Sequence, residues 1–234
     1  ANPNSSHQLG KLEKNMIKQM LKSGLSMGFM YSLVNFGTVA LQTAINSLGT
    51  TIIVAHTAAR KITELYMMIF SVFGTTMATF CGQNMGAGQT ERIKEGIKKT
   101  ILYAWIWCGG VIAVTHLAGP VLVYAVTGTH DSEVIKNATA YLKFDTTFYF
   151  VTAVIIIVRN AMQGIGIYLV PLFSSGIELV GKVIIAATLV PFMQYQGVII
   201  AEPIVWFIMV IPLIVQILRT PLLKKKSTGG ISTE

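Results

Sequence analysis

The chain has 234 residues, of which 53% are hydrophobic and 12% charged, with a formal net charge of +8. An ordinary soluble domain carries roughly 25% charged residues, so this chain cannot clothe itself for water, and a soluble globular enzyme or binding module is excluded. Its Lys and Arg residues gather mainly in three clusters separated by long apolar runs, without a basic face interleaved with aromatics, which excludes a nucleic-acid partner and makes the charge topological.

Residues 1–22 read as a cytosolic linker. The polar opening "ANPNSSHQLGKLEKN" contains no signal peptide and no initiator methionine, so the chain is expected to begin inside a longer protein. Leu12, Met16, Ile17, Met20 and Leu21 share one helical face with lysines opposite, so Lys11 to Lys22 either lies along the cytosolic leaflet or extends the first span. Residues 23–219 offer six apolar passes: Ser23 to Leu48, Thr51 to Phe80, Ile101 to Val126, Ala138 to Gln163, Val170 to Met193 and Val198 to Leu218. About 20 apolar residues cross a hydrocarbon core of about 30 Å. No water satisfies the backbone there, so each pass is predicted to be helical. The expected fold class is an all-α integral membrane six-helix bundle, followed by a cytosolic basic tail over 220–234.

The loops set the orientation. Lys11, Lys14, Lys18 and Lys22 precede the first span, Arg92, Lys94, Lys98 and Lys99 follow the second, and Arg219, Lys224, Lys225 and Lys226 follow the sixth. Six passes put all three clusters on one side, which the positive-inside rule makes cytoplasmic, with both termini of this chain there too. The connections 46–51, 127–136 and 194–197 face outward. "GQNMGAGQT" has neither the lysine nor the preceding strand of a phosphate-binding loop. It reads as a glycine turn that launches an amphipathic segment, "TERIKEGIKK", with Thr90 as its cap.

Polar residues at membrane depth mark candidate sites, because each is costly unless it faces protein or water. Asn35, Thr38, Gln42 and Asn46 form a stripe on the first span, and His56, Arg60, Glu64, Ser71 and Thr75 form one on the second. The fourth span carries Asp145, Tyr149, Thr152, Arg159 and Gln163, and the fifth carries Ser174, Ser175, Glu178 and Lys182. Each residue taken singly can serve as interhelical glue, whereas four stripes together point to a hydrated cavity. Arg60 and Glu64 form a local ion pair or a cavity wall; Glu178 and Lys182 can neutralise each other at i, i+4; Arg159 lines the cavity or snorkels to the interface. His56 is a packing residue or a proton carrier. Phe144, Phe148, Tyr149 and Phe150 pack, or line a pocket for flat cations. Cys81 and Cys108 read as inert packing thiols. No HExxH motif or Cys/His cluster suggests a metal, and no cofactor is expected. Asp131 and Asp145 are the only aspartates, which leaves no pair for an intramembrane aspartyl enzyme.

From Leu48-Gly49 through Ala55-His56 to Gly82-Gln83-Asn84-Met85-Gly86-Ala87-Gly88, the sequence resembles the opening of the second half of multidrug and toxic compound extrusion (MATE) transporters. "RNAMQGIG" and "SSGIELVGKV" are similar to later parts of the same half. The resemblance implies the C-terminal six-helix half of a plasma-membrane antiporter that exports amphipathic organic cations by alternating access. It implies coupling to H+ or Na+, and an N-terminal six-helix half as partner, besides membrane lipids. Asn35, Thr38, Gln42, His56, Arg60, Glu64, Tyr149 and Thr152 are the expected cavity residues. Some sodium-coupled members carry a glutamate midway along the first helix of this half and an aspartate midway along the fourth; here Val34, Asn35 and Thr152 stand in those neighbourhoods. Asp145 and Glu178 are the remaining ion-coupling candidates, unless the ion site lies in the other half. A lipid-linked saccharide flippase of the same superfamily is the alternative.

Overall fold

The computed structural model describes residues 14–220. It contains seven helices: α1 (Lys14–Asn46), α2 (Thr50–Gly86), α3 (Thr90–Thr127), α4 (Ser132–Thr147), α5 (Tyr149–Gly164), α6 (Leu169–Met193) and α7 (Tyr195–Arg219), with no strand among the described residues. Five of them are long and apolar enough to cross a membrane, and the count rises to six when α4 and α5 are taken as one broken span. The all-α membrane bundle expected from the apolar runs is therefore the observed fold.

The fourth span departs from expectation. Instead of one rod over 138–163, it starts earlier, at Ser132, and bends by 55° at Phe148. No proline or glycine causes the break. Phe148 N–H donates to the Asp145 carbonyl at 3.1 Å and Val151 N–H to the Phe148 carbonyl at 3.0 Å, tightening the chain to three-residue turns. Beside it, the Thr146 and Thr147 hydroxyls donate to the carbonyls of Leu142 and Lys143 at 2.8 and 2.7 Å, a back-bonding known to bend helices. The early start comes from Asp131, whose carboxylate accepts from the amides of Glu133 and Val134 and so caps α4.

The glycine turn is shorter than its sequence suggests. Helix α2 continues to Gly86, and the chain reverses on a Schellman motif with Gly88 at φ 69°: Gln89 N–H donates to the Asn84 carbonyl and Gly88 N–H to that of Met85. The end of α5 repeats it, with Gly166 at φ 85° and Ile167 N–H donating to Met162. Gln89, not Thr90, occupies the N-cap position of α3, and no side chain caps there. The expected amphipathic segment is simply the first turns of α3. Likewise α1 is unbroken from Lys14, so residues 14–22 extend the first span; Lys11, Leu12 and the rest of 1–13 lie outside the described residues, as does the tail 221–234.

Helix α1 packs chiefly on α6 and touches α2 little, whereas α2 is embedded against α3, α4 and α5. The α2–α5 contact is close because glycines allow it. A Cβ on Gly164 would collide with the backbone carbonyl of Ala78, and one on Gly74 would meet Asn160 Nδ2 at 2.7 Å. Tyr149, Phe70 and Trp206 interlock in the core, with ring centroids 5.8 and 6.2 Å from Tyr149. Cys81 and Cys108 are free and buried. Lys22 lies over the ring of Tyr168, 6.0 Å from its centroid, so the start of α1 and the α5–α6 turn share one end of the bundle.

Candidate transport site

Five charged side chains cross the bundle interior in alternating sign. Arg159 (α5) lies 3.6 Å from Glu178 (α6); Glu178 is 3.1 Å from Lys182; Lys182 is 3.4 Å from Glu202 (α7); and Glu202 is 3.3 Å from Arg60 (α2). Lys182 Nζ also donates to Thr38 Oγ1 of α1 at 3.4 Å, and Arg159 to Ser174 Oγ at 3.3 Å. All but Arg60 are buried, its side chain being 31% exposed against 9% for Glu202, so the ladder opens at Arg60. In a medium without water, such charges persist only by solvating one another.

This arrangement revises three expectations. Arg60 pairs with Glu202, not with Glu64. Arg159 does not snorkel; it is buried against Glu178. The second-span stripe is not one face, because a helix advances about 100° per residue, and His56 and Thr75 end up about 100° apart. His56 is therefore buried, Arg60 is at the boundary, and Glu64, Ser71 and Thr75 are exposed. The i, i+4 pair of Glu178 and Lys182 is present as expected.

Glu202 went unremarked in sequence reasoning. Its signal is there: a carboxylate in "GVIIAEPIVW", inside the first third of the last apolar run, is a residue that must find a cation.

A second interior group lies on the α4–α5 break. Asp145 Oδ1, Tyr149 hydroxyl and Thr152 Oγ1 are buried and lack hydrogen-bond partners among the described residues. Their spacing, i, i+4 and i+7, puts them on one side of the bent span. Asp145 forms no ion pair among the described residues, while the ladder holds three cations against two carboxylates, so Asp145 makes the interior balance even. His56 is held in an aromatic box, edge-on to Tyr141 (5.0 Å) and Tyr195 (6.0 Å), with the Tyr195 hydroxyl 3.4 Å from its Nδ1.

Of the remaining expected cavity residues, Asn35 and Glu64 lie on the outside of the bundle, whereas Thr38 sits where α1 meets Lys182 of α6. Asn35, Asn46 and Glu64 are exposed, and Thr38 and Gln42 are half-buried. Asn35 and Thr38 bond their own helix, and Gln42 Nε2 donates to Asn46 Oδ1 at 2.9 Å. On α2, Thr57, Lys61, Glu64, Ser71, Thr75, Thr79 and Gln83 present a second exposed polar strip, and Glu64 has no ion pair among the described residues. Among the described residues no group of three or more His, Cys, Asp or Glu is placed to hold a metal.

The MatE family model matches residues 26–188, more than half of the chain. The chain belongs to the MatE family. Solved structures agree on the fold of this MatE chain. A multidrug resistance MATE family transporter of the MOP superfamily, in an outward-facing conformation, matches with TM-score 0.84 at 19% identity over 94% of this chain and 50% of its own. A MOP superfamily transporter from Pyrococcus furiosus, described as having a binding pocket of reverse polarity, matches with TM-score 0.81 at 22% identity over 92% and 49%. A MATE structure in complex with MaL6 matches with TM-score 0.82 at 20% identity over 92% and 49%. The chain thus spans about half the length of these structures. No curated protein matches it. It is a multi-pass membrane protein of a transporter family.

Proposed function

We propose that this MatE chain is the C-terminal half of an ion-coupled antiporter that exports amphipathic organic cations by alternating access, and that a second six-helix half covers the polar strips of α1 and α2. One observation carries the reading. Glu64 is an exposed carboxylate on a membrane-spanning helix, with no ion pair among the described residues, in a chain half as long as the transporters it matches. Acyl chains do not accommodate such a group; a water-filled chamber between two halves does, and there it attracts a cation.

In this reading residues 23–219 form the membrane bundle, residues 1–22 link it to the other half, with 14–22 doing so as the helical extension of α1, and 220–234 form a basic tail. The basic end faces the cytoplasm of a plasma membrane by the positive-inside rule. Asp145 with the Tyr149 and Thr152 oxygens is the coupling element for H+ or Na+, and the helix break supports this, because interrupted helices expose backbone dipoles to ions. Glu178 is held too firmly by Lys182 and Arg159 to serve. The test is substrate efflux by the complete protein in vesicles, driven separately by sodium and proton gradients, with Glu64→Gln in parallel. Full activity of that variant would refute the cation-attracting role. A lipid-linked saccharide flippase is the second reading, favoured by Lys61 beside Glu64 and by the exposed part of Arg60, which suit a pyrophosphate. Transport of a labelled polyprenyl-linked sugar, but of no organic cation, would select it.

A further inference from the structure

The three basic clusters explain orientation, yet one of them does more than decorate a loop. At the basic end, α2 and α3 diverge around a groove of about 300 Å³, at the lower bound of the roughly 300–1,000 Å³ typical of small-molecule sites. Its floor is apolar, made by Met77 and by Phe80, whose ring occupies the place that a Cβ on Gly96 would need. Its rim is cationic, with Arg92 and Lys99 on α3.

Glu95 lies between the two cations and takes Lys99 at 2.7 Å, while Arg92 donates only to Gln89, a neutral group, at 2.9 Å. The rim therefore keeps a net positive charge, with Lys98 exposed nearby. One turn beyond Lys99, Tyr103 is half-exposed, a residue type that gathers where membrane helices meet the headgroups. Below it, Val72, Ile69 and Leu102 leave apolar surface exposed along the same two helices.

We infer that this groove binds the phosphate headgroup of an anionic phospholipid, with its acyl chains running down the exposed α2–α3 face. The charge complementarity argues for it: a guanidinium not committed to a carboxylate is the group best shaped for a phosphodiester, and basic pockets between membrane helices on the cytoplasmic side are the usual lipid sites. Thr76, exposed on the groove wall, adds a hydroxyl within it.

The test is native mass spectrometry of the complete detergent-purified protein, delipidated and then supplied with phosphatidylglycerol, phosphatidylcholine or inorganic phosphate. The expected result is one retained phosphatidylglycerol, several-fold stronger than phosphatidylcholine, lost in Arg92→Gln/Lys99→Gln and in Thr76→Trp, which fills the groove and leaves the charges alone. Arg92→Lys is expected to weaken retention, and Lys98→Gln to leave it unchanged. Equal retention of both lipids, equal loss in Lys98→Gln, or unchanged retention in Thr76→Trp would overturn the site. Competition by inorganic phosphate at lipid-like concentrations would make it a soluble-anion site instead and overturn the lipid assignment. Thermal unfolding of each variant separates loss of ligand from loss of fold.

Discussion

Glu202 of α7 stands 3.3 Å from Arg60 of α2 and 3.4 Å from Lys182 of α6, one carboxylate serving two cations from two other helices. Glu202→Gln leaves Arg60 without a counter-charge and Lys182 with only Glu178. Removing one partner of a buried pair costs about 3–5 kcal/mol, and the partial exposure of Arg60 places the expected loss near the lower figure. Thermal unfolding in detergent checks it, and a second substitution, Arg60→Gln, is expected to recover most of the loss; additive damage would show that the two side chains do not act together.

Asp145 differs in kind, since it is buried without an ion pair among the described residues. Asp145→Asn removes a carboxylate that no cation pairs directly, so the unfolding midpoint is expected to fall less than in Glu202→Gln. Ion-driven efflux is expected to fall by about tenfold or more, equivalent to about 1.4 kcal/mol. A variant that unfolds early yet still couples to the gradient would contradict both halves of this argument.

At the α2–α5 contact, Gly164→Ala drives a methyl into the Ala78 backbone, which cannot swing aside as a side chain can. Overpacking of this sort costs about 1–3 kcal/mol. Gly109, which has open space around its would-be Cβ, is the matched control, and Gly109→Ala is expected to be neutral in the same melting experiment.

Gly88 and Gly166 hold positive φ in the two Schellman turns. An alanine at either position pays about 1–2 kcal/mol for the left-handed conformation. Asparagine, which visits that region more readily, is expected to cost visibly less. Unfolding midpoints ordered Gly, Asn, Ala would bear this out, and indistinguishable midpoints would not.

The fold was legible because lipid imposes a simple rule, so that the apolar runs located the spans, apart from the early start and the bend of the fourth. Departures arose where local hydrogen bonding decides geometry. Nothing in "FDTTFYF" alone announces the bend, because it depends on whether the Thr146 and Thr147 hydroxyls turn back onto the carbonyls of Leu142 and Lys143, which only the structure shows. The site was legible only in part. His56, Arg60 and Glu64 look equivalent at four-residue spacing, but 40° of rotation per step carries them from core to boundary to surface. Arg60 could be seen to need a carboxylate, yet sequence distance favours Glu64 over Glu202, and only the packing of α7 against α5 and α6, with Arg60 at the edge, settles the pairing.

Because the alternating charges bind α2, α5, α6 and α7 through each other's electrostatic fields, no one of these four can slide without stranding an ion in oil. They are expected to travel as a single block when the chamber turns from one side to the other. Of the three helices outside that block, α1 rides on α6 and α3 on α2, so the slack falls to α4, which meets α5 at the bend beside Phe148. Spin labels placed across α2 and α7 should accordingly report one separation in every state, while a pair across α4 and α5 should report two.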